Sequence, residues 1–154
     1  MSNNPWVTVG SWTHSGNISQ FDFTNLAQYS EWLLLVRGIT TSVAASLIAL
    51  VSIDNGSSFL NASGDYKVID GAAGGVTNAP DILFTNGDIA TARTAHLHIV
   101  NPKMTIPKIA WRRNFNQTTA AVLIPTANAI NALRFKPHNA ATMNAGSAWL
   151  LGKL

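Results

Sequence analysis

The chain has 154 residues, no cysteine, and 11% charged residues beside 47% apolar ones, where charge usually makes up about 25%. One core serves a chain of this length, so residues 1–154 are expected to form a single domain, and the lack of cysteine excludes disulfide frameworks, zinc–thiolate sites and thiol catalysis. The formal charge of +3 hides a division: seven acids against Arg37 and Lys67 leave residues 1–92 at −5, while eight basic residues and no acid give residues 93–154 a charge of +8.

In chain order, the opening Met-Ser-Asn-Asn-Pro-Trp has neither the basic stretch nor the apolar run of a secretory signal. Strands are predicted over 6–13 and 18–24, parted by Ser15-Gly16-Asn17. A short turn at Gln28-Tyr29-Ser30-Glu31 leads to a strand over 31–39, where Trp32-Leu33-Leu34-Leu35-Val36 is apolar on both faces. So is Ile48-Ala49-Leu50-Val51 within a strand over 44–53, a stretch far short of the roughly 20 residues of a membrane helix. Both read as central strands whose second face is covered by a loop or a neighbouring subunit. After Asp54-Asn55-Gly56 comes a strand over 66–69, and then the Gly- and Ala-rich stretch 71–80, which reads as a flexible loop. Strands follow over 82–85, 95–101 and 108–114, the first two separated by Asn86-Gly87-Asp88. The Ala-rich segment from Thr119 onward resembles a helix in composition, but Ala121-Val122-Leu123-Ile124 followed by Pro125 predicts a strand over 120–124 and then a turn. The last strands are 130–135 and 147–151. In the latter Ala148, Leu150 and Gly152 oppose Trp149 and Leu151, and Trp149, like Trp32, is expected in the core. Many short strands with regular turn signals predict an all-β, antiparallel β-sandwich of jelly-roll type.

Candidate chemistry is sparse. His96 and His98 share a face of their strand, as a metal site could use, but spacing supplies no third ligand beyond a chance approach of Asp81 or Asp88. There is no Gly-x-Ser-x-Gly, and Asp65 and Asp70 need not face one another as a glycosidase pair would. The stretch 71–75 lacks the Lys-Ser/Thr of a phosphate loop. No enzyme, metal or cofactor is expected. Nucleic acid is disfavoured as a partner, because the basic residues are dispersed and no recognition motif is present. The charge division can be met inside one subunit, between subunits, or against an acidic partner. Trp111-Arg112-Arg113 combines residue types favoured at interfaces and is the predicted intermolecular contact, with Trp111 and Arg113 on one face and Arg112 on the other.

Three stretches carry a resemblance. They are Ile18-Ser19-Gln20-Phe21-Asp22-Phe23-Thr24-Asn25-Leu26 with Tyr29 and Trp32-Leu33-Leu34-Leu35-Val36; Val51 to Leu60 with Gly64-Asp65-Tyr66; and the closing Ile130-Asn131-Ala132-Leu133-Arg134-Phe135 with Ala148-Trp149-Leu150-Leu151-Gly152. In order and spacing they resemble small jelly-roll structural proteins of tailed bacteriophages and prophages. The resemblance implies a non-enzymatic virion protein made in the host bacterial cytoplasm. The role expected from it is capsid decoration, cementing the shell as a homo-oligomer in contact with copies of itself and the major capsid protein. The alternative is a tail or fibre-tip module that binds a host surface glycan. The stretch 71–80 and Trp111-Arg112-Arg113 have no counterpart in that pattern.

Overall fold

A computed structural model describes residues 5–70, 75–85, 93–113 and 119–154. The described strands, in chain order, are β1 (Val7–Thr13), β2 (Phe21–Phe23), β3 (Glu31–Thr41), β4 (Leu47–Ser52), β5 (Tyr66–Asp70) and β6 (Gly75–Ala79). They continue with β7 (Ile82–Thr85), β8 (Arg93–Val100), β9 (Lys108–Arg113), β10 (Thr119–Ile124), β11 (Ala132–Pro137) and β12 (Met143–Lys153). All pairings are antiparallel. An eight-stranded sheet runs β1-β12-β3-β8-β9-β10-β5-β6, and a four-stranded sheet runs β2-β11-β4-β7. They pack face to face as a jelly-roll sandwich, the predicted fold class.

Period-two alternation builds the core. On β3, Trp32, Leu34, Val36 and Ile39 point inward, and on β8 Ala95, Leu97 and Ile99 do the same. They meet Leu47, Ala49 and Val51 of β4 and Leu133 and Phe135 of β11. Every residue of β4 is buried, and chain that follows it lies over its outer face: the Phe59 ring stacks at 4.0 Å on Arg134, the β11 partner of Leu50, and Asn61 and Pro80 stand beside Ile48 and Leu50. A loop, not a neighbour, therefore covers the second apolar face of this strand.

Two expectations are corrected. Part of the stretch read as a loop is β6, whose residues pair with β5 from Tyr66↔Ala79 to Asp70↔Gly75. Its composition (Gly-Val-Thr-Asn-Ala) carries little strand preference, so pairing decided it. The remainder of that stretch, residues 71–74, lies outside the described residues, as do the predicted turn at Asn86-Gly87-Asp88 and Asp88 itself. Second, Trp149 is not in the core. Ala148, Leu150 and Gly152 face inward, and a Cβ on Gly152 would lie 2.5 Å from the Tyr29 ring and 2.8 Å from Val9. The inner slot beneath β12 admits only small residues at that end, and the indole of Trp149 takes the opposite, outer face.

The terminal strand is not an edge. β12 lies between β1 and β3 and pairs with both along most of its length. A bulge near its start rests on Gly146, at φ +104°, where a Cβ would sit 2.7 Å from Arg37 O.

Candidate functional site

The outward face of the eight-stranded sheet holds the densest set of chemistry-bearing side chains. One row crosses all its strands through paired positions: Thr8, Leu151, Leu33, His98, Trp111, Ala121, Ile69 and Val76. A second row runs Trp149, Leu35, His96 and Arg113, and a third runs Lys153, Glu31, Val100 and Ile109. These positions face outward because their neighbours along each strand fill the core.

His98 is the centre of the cluster. Its ring lies 5.8 Å from that of Trp6 at 67° and 6.0 Å from that of Trp111 at 39°, so two indoles flank one imidazole. Its Nε2 is 2.9 Å from Glu31 Oε2, while Glu31 Oε1 accepts from Lys153 Nζ at 2.8 Å. The Lys153 bond, followed by that of His98, outweighs partial desolvation and holds the Glu31 carboxyl below its ordinary range. An ionised carboxylate only accepts, so His98 Nε2 carries a proton. Burial, then the Arg113 and His98 charges, push His96 down; a neutral imidazole offers one donor and one acceptor. Trp111 remains 40% and Trp6 39% exposed. The result is a rigid sheet surface with exposed indole faces and fixed donors and acceptors beside them.

Of the predicted contact, Trp111 and Arg113 lie on this face. Arg112 points inward and donates to Leu83 O across the sandwich. His96 and His98 share the face as expected, but among the described residues no group of three His, Asp or Glu side chains comes together to hold a metal. Asp81 belongs to the other sheet's side, and Asp88 is outside the described residues. Asp65 accepts from Ala62 N–H at 2.7 Å and closes a turn. The sequence reading missed Trp6, Glu31 and Lys153 as members of the cluster. Glu31 and Lys153 are 122 residues apart, and only the β3–β12 register makes them neighbours.

Part of the charge division is met inside the subunit. Arg134 grips Asp22 bidentately, at 2.8 and 2.7 Å, and Lys153 pairs with Glu31. Arg93 and Lys108 are buried and donate to backbone carbonyls of Ala45 and of Thr126 and Asn128.

No protein-family model and no curated protein matches the sequence. Solved structures do match. The homodimeric agglutinin CG-16 from chicken liver aligns over 84% of this chain and 98% of its own, with TM-score 0.40 and 13% identity. The Caenorhabditis elegans galectin LEC-6 aligns over 91% of this chain and 94% of its own, with TM-score 0.41 and 11% identity. These matches overturn the expectation of a bacteriophage capsid decoration protein: the similar structures are an agglutinin and a galectin, not capsid proteins.

Proposed function

We propose that the outer face of the eight-stranded sheet binds a carbohydrate, with Trp111 as its platform. The observation that carries this reading is the exposed Trp111 ring beside His98, set in a strand row with Glu31, His96 and Arg113 around it. A pyranose presents an apolar C–H face and a rim of hydroxyls. An exposed indole accepts the first as apolar surface, and side chains fixed on strands pair with the second. Binding fits the site better than glycoside cleavage, because the Lys153 and His98 contacts favour the ionised form of Glu31, the opposite of the raised carboxyl that a general acid needs.

A glycan-array screen followed by calorimetric titration of the best ligand tests the reading. Trp111→Ala is expected to weaken binding by about tenfold or more, with an unchanged melting temperature because the ring is exposed. Full affinity in Trp111→Ala, or a protein that binds no glycan, overturns it. Self-association is a second reading. Among the described residues β6 ends the sheet with an unpaired edge, and Val76 on it is 62% exposed, a combination that invites strand pairing with another copy. Sedimentation at micromolar concentration reads this, with Val76→Lys expected to shift any dimer to monomer.

A further inference from the structure

The four-stranded sheet carries its own cavity on the opposite side of the molecule. Outward-facing Ile48 and Leu50 of β4 floor a space of about 200 Å³, walled by Asn61, Pro80, Asp81, Lys136 and His138. Lys136 stands directly beside Ile48 in the β11–β4 register, and Asp81 immediately precedes β7. Asp81 is only 8% exposed, yet among the described residues its carboxylate accepts no hydrogen bond. The closest partner is His138 Nε2 at 3.6 Å from Oδ2, an ion-pair distance too long for a hydrogen bond. Asn61 and Lys136 likewise make no hydrogen bond to described residues. Burial raises the Asp81 carboxyl above its ordinary range, with His138 and Arg112 opposing the shift. Buried polar groups are normally satisfied. Here a largely buried carboxylate whose only close partner is an exposed imidazole, one amide and one ammonium converge without hydrogen bonds among the described residues on an apolar floor, the arrangement of a small-ligand pocket.

The charges select the ligand. An anion would meet Asp81, and a cation would meet Lys136 with Arg112 behind it. A neutral ligand rich in hydroxyls escapes both repulsions: it donates to Asp81, accepts from Lys136 and Asn61, and lays its C–H face on Ile48 and Leu50. The volume suits one sugar ring, being smaller than the roughly 300–1,000 Å³ of drug-sized sites. We propose that this cavity is a second binding site, distinct from the Trp111 face, for a neutral polyhydroxylated ring of hexose size.

Titration of the 15N-labelled protein with glucose, galactose and mannose tests this, with glycine betaine, inorganic phosphate and methylammonium as zwitterionic, anionic and cationic probes. The expected result is saturable amide shifts at Asp81, Asn61 and His138 with at least one hexose. They are expected to persist in Trp111→Ala and to need at least tenfold more sugar in Asp81→Asn, whose spectrum also reports its fold. Lys136→Met provides the same comparison from a half-buried position on the neighbouring strand. No saturable shift with any hexose up to its solubility overturns the site. Shifts that vanish in Trp111→Ala reduce it to a relay of the first face and also overturn it. Saturation by betaine, phosphate or methylammonium but by no hexose overturns the ligand class. Loss of binding at the Trp111 face alone leaves the cavity's shifts in place, so the two proposals fail separately.

Discussion

Tyr66 shows how one side chain can join the two sheets. It rises from β5 of the larger sheet, accepts Val51 N–H of β4 at 2.8 Å and donates to Leu60 O at 3.0 Å. Burial, the main cause, pushes its hydroxyl above the ordinary tyrosine range, so it is neutral wherever the protein is folded. Tyr66→Phe strands a buried amide and carbonyl, and denaturant unfolding is expected to show a loss of about 1–3 kcal/mol. Two carboxyls give pH effects of opposite sign. Glu31 has a folded pKa below its ordinary value of 4.5. Its contribution is complete above that value and is lost as pH falls through the lowered one. The melting temperature is therefore expected to drop on acidification below about pH 4.5, less steeply in Glu31→Gln. Asp81 has a folded pKa raised above 3.8, so stability is lost as pH rises through that interval. Asp81→Asn is expected to melt higher than the parent at neutral pH while weakening the cavity's ligand, a trade of stability against function.

At the scale of elements, β12 carries the most. It is paired on both sides, so deleting residues 147–154 leaves β1 without its partner and exposes an edge of β3. Unpaired edges template aggregation, and the truncated chain is expected to be insoluble or unfolded by circular dichroism. A truncated protein that stays soluble with unchanged melting would show that β12 is dispensable. Within the strand, Gly146 is the position where backbone conformation and space both demand glycine: a Cβ would press on Arg37 and Gly38 at 2.7 Å. Gly146→Ala is expected to cost more than the roughly 1 kcal/mol of an ordinary glycine replacement, because strain at positive φ adds to the clash. β6 sits at the other extreme. Its side chains are mostly exposed and, among the described strands, only β5 holds it, so its amides are expected to exchange before those of β3 in hydrogen-exchange measurements.

For the whole molecule, the two sequence halves interleave, and opposite charges from the two halves meet between neighbouring strands of one sheet, Arg134 with Asp22 on β11 and β2 and Lys153 with Glu31 on β12 and β3. Arg134 links to Asp22 and lies over the Phe59 ring at 4.0 Å, so one guanidinium ties β2, β11 and the loop after β4 together. The pair is partly exposed, with side chains 23% and 29% accessible, and its contribution is expected to be modest and weakened by salt. Arg134→Lys keeps the charge but loses the bidentate fork and the flat stacking surface. It is expected to lower the melting temperature even at high salt, whereas an effect that disappears in salt would mean that charge alone matters there.

Most of the strand plan was legible from the sequence, because alternation and turn residues are local signals. The strands over 31–39, 82–85 and 108–114 match β3, β7 and β9 closely, and His96 with His98, or Trp111 against Arg112, fell on the faces that period two assigns. What alternation cannot state is which face is inside. Trp149 and Leu151 are the more apolar face of β12, yet the small residues opposite them face the core, because Tyr29 and Val9 already fill the space there. Nor could β6 be read from Gly75–Ala79, which is a strand by virtue of its partner. The candidate sites belong to the same class of fact. Glu31 and Lys153 meet through register, and Ile48, Asn61, Asp81 and His138 converge only where the loop after β4 folds over the smaller sheet. Sequence determines the alternation of each strand, while the packing of the sheets decides which side chains share a pocket, since that depends on distances between residues far apart in the chain.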